Sequence, residues 1–121
     1  MAKKKILVID DDKFILQMFK DILEAKGYDV VVSIGGKEAV EEYKNQKPDL
    51  VIVDILMPGM DGIQVIKKIL KIDKKAKIIV ATALTKLGLE KSCLRAGAKA
   101  FIMKPFELTT LMSTIRDVLE K

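Results

Sequence analysis

The chain contains no histidine and no tryptophan, a single cysteine (Cys93), and only two arginines, Arg95 and Arg116. Without histidine there is no Ser/His or Cys/His pair and no imidazole general base. One cysteine forms no intrachain disulfide, and a Cys/His zinc site within one chain is excluded. Any metal site must therefore use oxygen ligands, which points to magnesium, calcium or manganese. No apolar run approaches the roughly 18 residues of a membrane span. The start, Met1-Ala2-Lys3-Lys4-Lys5, leads into a short apolar stretch that ends in three aspartates, so no signal peptide is read and a cytoplasmic location is expected.

The net charge is +5, but the excess is local: Lys67, Lys68, Lys71, Lys74, Lys75 and Lys77 stand against Asp73. No aromatic residue interleaves with these lysines, and lysine lacks arginine's bidentate fork. The run reads as a solvated helix face and loop, or at most a weak electrostatic docking surface; a nucleic-acid partner is not expected. With 121 residues, half of them hydrophobic, the chain is expected to be one domain over 1–121 with a single core.

What is present is organised around residues 49–62. Leu50 to Val53 form an uninterrupted, mostly β-branched run that stops at Asp54; Pro58-Gly59 and Asp61-Gly62 then break the chain. Residues 5–10 make a similar buried run ending in Asp10, Asp11 and Asp12, the last of which is expected to cap a helix over 13–26. That helix is expected to bury Phe14, Ile15, Met18, Phe19, Ile22 and Leu23. Further strands are expected at 28–33, 77–81 and 99–103, and helices at 37–46, from Gly62 to Ile72, at 86–96 and at 106–120. The expected buried stripes are Ile63, Ile66, Ile69 and Leu70 on helix 3, and Leu108, Leu111, Met112, Ile115 and Leu119 on helix 5. Five βα units predict an α/β fold with a doubly wound, five-stranded parallel sheet, flavodoxin-like order 2-1-3-4-5, and helices on both faces.

In a parallel sheet the strand C-terminal ends share one rim. Strand 1 then supplies Asp10 and Asp11, strand 3 Asp54, strand 4 Thr82, and strand 5 leads to Lys104. Strands 1 and 3 flank the switch point where such sheets bind ligands. Three carboxylates close together repel, and without a counter-ion one would be driven to protonate. A divalent cation with an open coordination position resolves this and suits phosphoryl chemistry, with Lys104 and a hydroxyl helping to neutralise phosphoryl oxygens. One carboxylate can then attack phosphorus and form an acyl phosphate.

On these motifs the chain resembles a response-regulator receiver domain, the module of two-component signalling, here in a stand-alone, chemotaxis-regulator-like form. The motifs are Ile6-Leu7-Val8-Ile9-Asp10-Asp11-Asp12, Asp54 with Met57-Pro58-Gly59-Met60-Asp61-Gly62, Thr82-Ala83, Ala96-Gly97-Ala98, and Phe101-Ile102-Met103-Lys104-Pro105-Phe106. The resemblance implies that Asp54 is the phosphoacceptor. It implies a Mg²⁺ site, with Mn²⁺ a plausible substitute, held by Asp11, Asp54 and the Leu56 backbone carbonyl, with Asp10 acting through water. Thr82 and Lys104 would stabilise the phosphoryl group, and Thr82 and Phe101 would be the switch pair. The Lys104-Pro105 bond would be cis. A histidine kinase or histidine phosphotransfer protein would supply the phosphoryl group. The surface of helix 4, strand 5 and helix 5 would contact a downstream protein or a second copy, or the chain would relay to another phosphotransfer protein. The chain would then be a signalling phosphoprotein, not an enzyme turning over a separate substrate, and no output domain is expected.

Two residues invite a specific expectation. Leu56 and Leu84 lie two residues after Asp54 and Thr82, where fast-losing relatives carry polar groups; two leucines there would exclude water and lengthen the phosphorylated lifetime. On helix 4, Leu87, Leu89, Cys93 and Leu94 do not fit one narrow face, so one leucine is expected to be exposed, with Cys93 in the core. The alternatives fit less well. A haloacid-dehalogenase-like phosphatase needs a further acidic pair at a strand end, whereas beyond Lys104 only Glu107, Asp117 and Glu120 remain, all expected on the last helix. A phosphorylation-independent interaction module would tolerate damage to the acidic set, and none is seen.

Overall fold

The computed structural model describes residues 3–121. Five strands alternate with five helices: β1 (Lys5–Ile9), α1 (Lys13–Ala25), β2 (Asp29–Ser33), α2 (Gly36–Gln46), β3 (Leu50–Val53), α3 (Gly62–Ile72), β4 (Ile78–Thr82), α4 (Leu89–Ala96), β5 (Ala100–Met103) and α5 (Leu108–Glu120). The strands form one parallel sheet in the order β2-β1-β3-β4-β5, as the alternation of buried strands and amphipathic helices requires. Among the described residues no helix is long and apolar enough to cross a membrane.

The sheet divides the interior into two cores. On one face Leu7, Ile9, Val51, Val53, Ile78 and Val80 meet α2, α3 and α4 through Ala39, Val65, Ile66, Ile69 and Cys93. On the other, Ile6, Val8, Leu50, Ile52 and Ile79 meet α1 and α5 through Leu16, Phe19, Leu23, Leu111, Ile115 and Val118. Central strands covered on both sides explain the unbroken apolar runs at 6–9, 50–53 and 78–81. Each such large side chain, fully removed from water, contributes roughly 2 kcal/mol before conformational entropy is subtracted.

Several helix faces differ from expectation. On α1, Phe14 is 87% exposed and Met18 39%, while Leu16, absent from the expected stripe, is buried. The buried line runs Leu16, Phe19, Leu23, and Phe14 and Met18 lie outside it. On α3 the buried set includes Val65, and Ile63 and Leu70 are only partly covered. On α5, Leu108, the first residue of the helix, is 43% exposed, and Val118 is buried on the line of Leu111 and Ile115. Helix α4 starts at Leu89 and not near residue 86: Gly88, with φ +81°, turns the chain into the helix. Leu87 is consequently fully exposed and Leu94 is 42% exposed, whereas Cys93 is buried, with burial pushing its thiol pKa up.

Candidate functional site

The strand ladders extend one residue past the sheet and so deliver the polar residues to a common rim. The Asp10 N–H donates to the Ser33 carbonyl (3.2 Å), the Asp54 N–H to Ile9 (3.1 Å) and the Lys104 N–H to Thr82 (2.8 Å). Because Ile9 pairs with Val53 and Thr82 with Met103, these residues come side by side. The Lys104-Pro105 peptide is cis. Asp10, Asp11, Asp12, Ile15, Asp54, Leu56, Met57, Pro58, Ala83 and Lys104 line an open cleft of about 510 Å³.

Lys104 is the electrostatic centre. Its ammonium donates to Asp10 Oδ2 at 2.8 Å and to Asp54 Oδ2 at 3.3 Å, so one cation bridges the ends of two strands. Asp10 is only 3% exposed. Burial raises its pKa above 3.8; hydrogen bonds from Lys104 and from the Asp12 N–H (3.0 Å) pull the other way, and the Asp54 charge adds to the rise. Asp54 is half-buried, and its Oδ1 accepts the Leu56 N–H at 3.2 Å, which folds the loop after β3 back over the carboxylate. Asp11 is exposed on the cleft wall. Asp12 caps α1 as expected, accepting from the Phe14 and Ile15 amides.

A raised carboxyl pKa has a direct consequence for stability. Below its unfolded value Asp10 is protonated in both states and contributes nothing. As pH rises through the carboxylate range from about 3.8, the folded state retains the proton longer and is increasingly penalised for ionising it. Asp10→Asn is therefore expected to raise unfolding stability by about 1 kcal/mol near neutrality, with the gain fading in acid. Urea midpoints across that range measure it; an equal gain at all pH values would contradict the charge explanation.

The remaining expected residues are placed less uniformly. Thr82 is fully buried, and its Oγ1 accepts the Leu84 N–H at 3.2 Å; it lies behind the cleft and not on its wall. Leu56 is 64% exposed on the cleft, but Leu84 is half-buried against the core on the α2–α4 side. Phe101 is half-buried against the same core. Leu87, Leu94, Met103 and Leu108, from the segment before α4 through to α5, are exposed. Glu107, Asp117 and Glu120 are exposed, outside the cleft lining.

The sequence reading missed Asp61 and Ile15. Asp61 caps α3, its Oδ1 accepting the Gln64 N–H at 3.0 Å, and so anchors the far end of the Asp54 loop; an aspartate just before a helix was the available signal. Ile15 supplies an apolar wall to the cleft from α1.

The donor set fits a divalent cation. Asp10, Asp11 and Asp54 bring three carboxylates against the one ammonium of Lys104, and the cleft is open. Among the described residues no group of three or more acidic, His or Cys side chains forms a ready cage. Mg²⁺ needs none, because it is commonly held by one or two carboxylates while keeping several waters and phosphate oxygens.

Comparisons with known proteins agree with this geometry. A family model described as response regulator receiver domain matches residues 6–116. The chain is 45% identical over 116 residues to the chemotaxis protein CheY of Thermotoga maritima, covering 95% of this chain and 97% of that one. Among solved structures, a CheY-like response regulator receiver domain protein from Methanospirillum hungatei superposes with a TM-score of 0.93 at 34% identity, covering 98% of this chain and 95% of that one. A CheX–CheY–BeF3–Mg²⁺ complex from Borrelia burgdorferi matches with a TM-score of 0.91 at 36% identity, covering 98% of this chain and 90% of its counterpart.

Proposed function

The chain belongs to the response-regulator receiver family, and from that membership we propose how its own residues accept, hold and report a phosphoryl group. It is homologous to chemotaxis CheY proteins and is a phosphoacceptor of two-component signalling. Receiver domains of this family bind Mg²⁺. CheY-like receivers interact with kinases and with downstream proteins. The observation that carries the residue assignments is the Lys104 ammonium shared between Asp10 and Asp54 at the mouth of the cleft.

Asp54 is the nucleophile. One of its carboxylate oxygens attacks the phosphorus of a phosphohistidine presented by a histidine kinase or phosphotransfer protein. The O–P bond forms as the P–N bond breaks, the electron pair leaves with the imidazole, and the product is an acyl phosphate on Asp54. Asp11, Asp54 and the Leu56 carbonyl would hold the Mg²⁺, with Asp10 supporting it through water, and Mn²⁺ would be a substitute. The bound metal supplies positive charge against the phosphoryl oxygens. Lys104 is already bonded to Asp54 and turns to those oxygens as well. No separate substrate is turned over, and the setting is cytoplasmic.

The switch follows from where Thr82 sits. Its hydroxyl accepts from Leu84 in the structure described here. Rotation towards the phosphoryl group gives that hydroxyl an anionic acceptor and draws the segment after β4 with it. Phe101, half-buried on β5 opposite Val80, moves further inward, shifting the population of the α4–β5–α5 surface. Leu87, Leu94, Met103 and Leu108 give that surface its apolar character, which suits a downstream protein or a second copy.

The assignment is tested by incubating the protein with a small acyl phosphate and Mg²⁺ and following intact mass. A metal-dependent phosphoryl adduct is expected, and none in Asp54→Asn; an adduct that persists in the variant would move the acceptor elsewhere. Leu56, on the cleft wall, limits the approach of water to the acyl phosphate. Leu56→Asn is expected to speed phosphate loss by about tenfold, less than the roughly hundredfold low end for a group that itself transfers the proton, because Asn would only orient the water. Leu84→Asn should act less, its side chain being packed against the core. An unchanged decay rate in Leu56→Asn would remove Leu56 from this role.

A further inference from the structure

The sheet edge farthest from the α4–β5–α5 surface is open. Among the described residues β2 pairs with β1 alone. The Asp29 N–H donates to the Lys4 carbonyl, and the Ser33 carbonyl accepts from Asp10, so odd-numbered residues of β2 face β1. Strand alternation then turns the N–H and C=O of Val30 and Val32 outward. Edge strands are ordinarily guarded by lysine, proline, a bulge or a covering element. The other edge, β5, lies between Lys99 and Lys104-Pro105, whereas Val30-Val31-Val32 carries no such guard.

Beside that edge lies a groove of about 300 Å³ between β2 and α1. Leu16, Val32 and Ile34 give it an apolar floor; Val32 is 37% exposed and Ile34 43%. Lys13, Gln17 and Lys20 form its rim. The Gln17 amide is held by Asp21 at 2.8 Å, and among the described residues neither lysine is in an ion pair. The ionised groups that line the groove are therefore both cationic. Two acids adjoin the rim without lining the groove: Asp21, beside Lys20, accepts from the Gln17 amide, and Asp12, beside Lys13, caps α1; Glu24 and Asp29 belong to the far end, where α1 finishes and β2 begins.

We propose that this edge receives an added strand, an extended acidic segment of a partner protein. Its backbone pairs with Val30 and Val32, alternate apolar side chains enter the groove, and its carboxylates meet Lys13 and Lys20. Charge argues against a second copy as the occupant. Twofold pairing of two β2 edges would set the α1 helices on one face of the joined sheet, so that the lysines lining one groove would approach those lining the other.

The probe is a blocked, fluorophore-labelled peptide of about ten residues alternating glutamate and valine, with a lysine–valine peptide as control. Saturable binding of the acidic peptide is expected, with slowed amide exchange at Val30 and Val32. Lys13→Glu combined with Lys20→Glu, both on the helix surface, should weaken binding at least tenfold. Val32→Pro, which removes an outward N–H, should abolish it wherever circular dichroism shows an intact fold; where it does not, the charge reversal and the exchange data decide. Absence of binding, affinity unchanged by the charge reversal, or unchanged exchange at Val30 and Val32 would overturn the proposal. So would protection of those amides on concentrating the protein alone, which would assign the edge to a second copy.

Discussion

Lys104→Ala is expected to cost the folded protein about 3 kcal/mol near neutral pH in metal-free buffer, and to cost much less in acid. The ammonium lies 2.8 Å from Asp10 Oδ2 and 3.3 Å from Asp54 Oδ2. Removing it leaves two neighbouring carboxylates without a counter-charge, one of them only 3% exposed. Breaking a buried pair from one side costs several kcal/mol because the other charge stays behind. The low end applies, since Asp54 is half-buried and water reaches the cleft. The pH dependence follows from the same cause. Asp10 already holds its proton more tightly than an ordinary aspartate, and without Lys104 it loses its largest opposing influence. As pH falls through the carboxylate range, protonation removes the repulsion and the variant recovers. Urea midpoints for Lys104→Ala and Lys104→Met, each near pH 7 and near pH 4, distinguish the causes. If the deficit were the same at both pH values, or absent from Lys104→Met, packing of the lysine stem would be responsible instead of its charge.

Gly62→Ala is expected to damage both stability and phosphorylation. A Cβ at Gly62 would lie 2.4 Å from the Asp54 carbonyl oxygen and 2.7 Å from Ile55 Cα. Both are backbone atoms at the start of the loop that follows Asp54, the proposed phosphoacceptor, so neither can swing aside as a side-chain tip would. The same glycine donates its N–H to the Ile55 carbonyl at 2.9 Å, which ties α3 to that loop. Overpacking of this kind costs about 2 kcal/mol. Relief of the clash moves Asp54 or Leu56, and a displacement near 1 Å at a reacting group costs about 100-fold in rate. Gly59→Ala is the informative control. Gly59 has φ +84° but nothing within 4 Å of an added Cβ. It should lose about 1 kcal/mol through backbone strain and phosphorylate normally. Equal phosphorylation rates in the two variants would show that the loop tolerates the shift.

The sheet and the rim residues were legible in the sequence because both follow from one-dimensional rules. Buried parallel strands write themselves as uninterrupted apolar runs, and Asp10, Asp54 and Lys104 each fall one residue after such a run, where no interior space exists for a charge. Helix faces were less legible. A helical stripe read from spacing has the right period but an uncertain phase, and on α1 the expected stripe included Phe14 and omitted Leu16, which is buried. Which side of a helix is covered depends on its neighbours, and none lies over Phe14. Thr82 shows a different limit. Its position on the strand was evident, but its hydroxyl direction was set by the Leu84 N–H, a contact made by chain geometry after the strand ends.

Lys104 reaches Asp10 across 94 residues of sequence and Asp54 across 50. A contact of that span cannot form until the first and last strands have found their places in the same sheet. Partial folds made from the early part of the chain would hold the acids without the cation that lets them sit together. With Lys104 in its proposed role, competence to take a phosphoryl group would be granted only to a finished molecule: the chemistry would double as a proofreading step, because the residue that completes the site directly follows the last strand of the sheet.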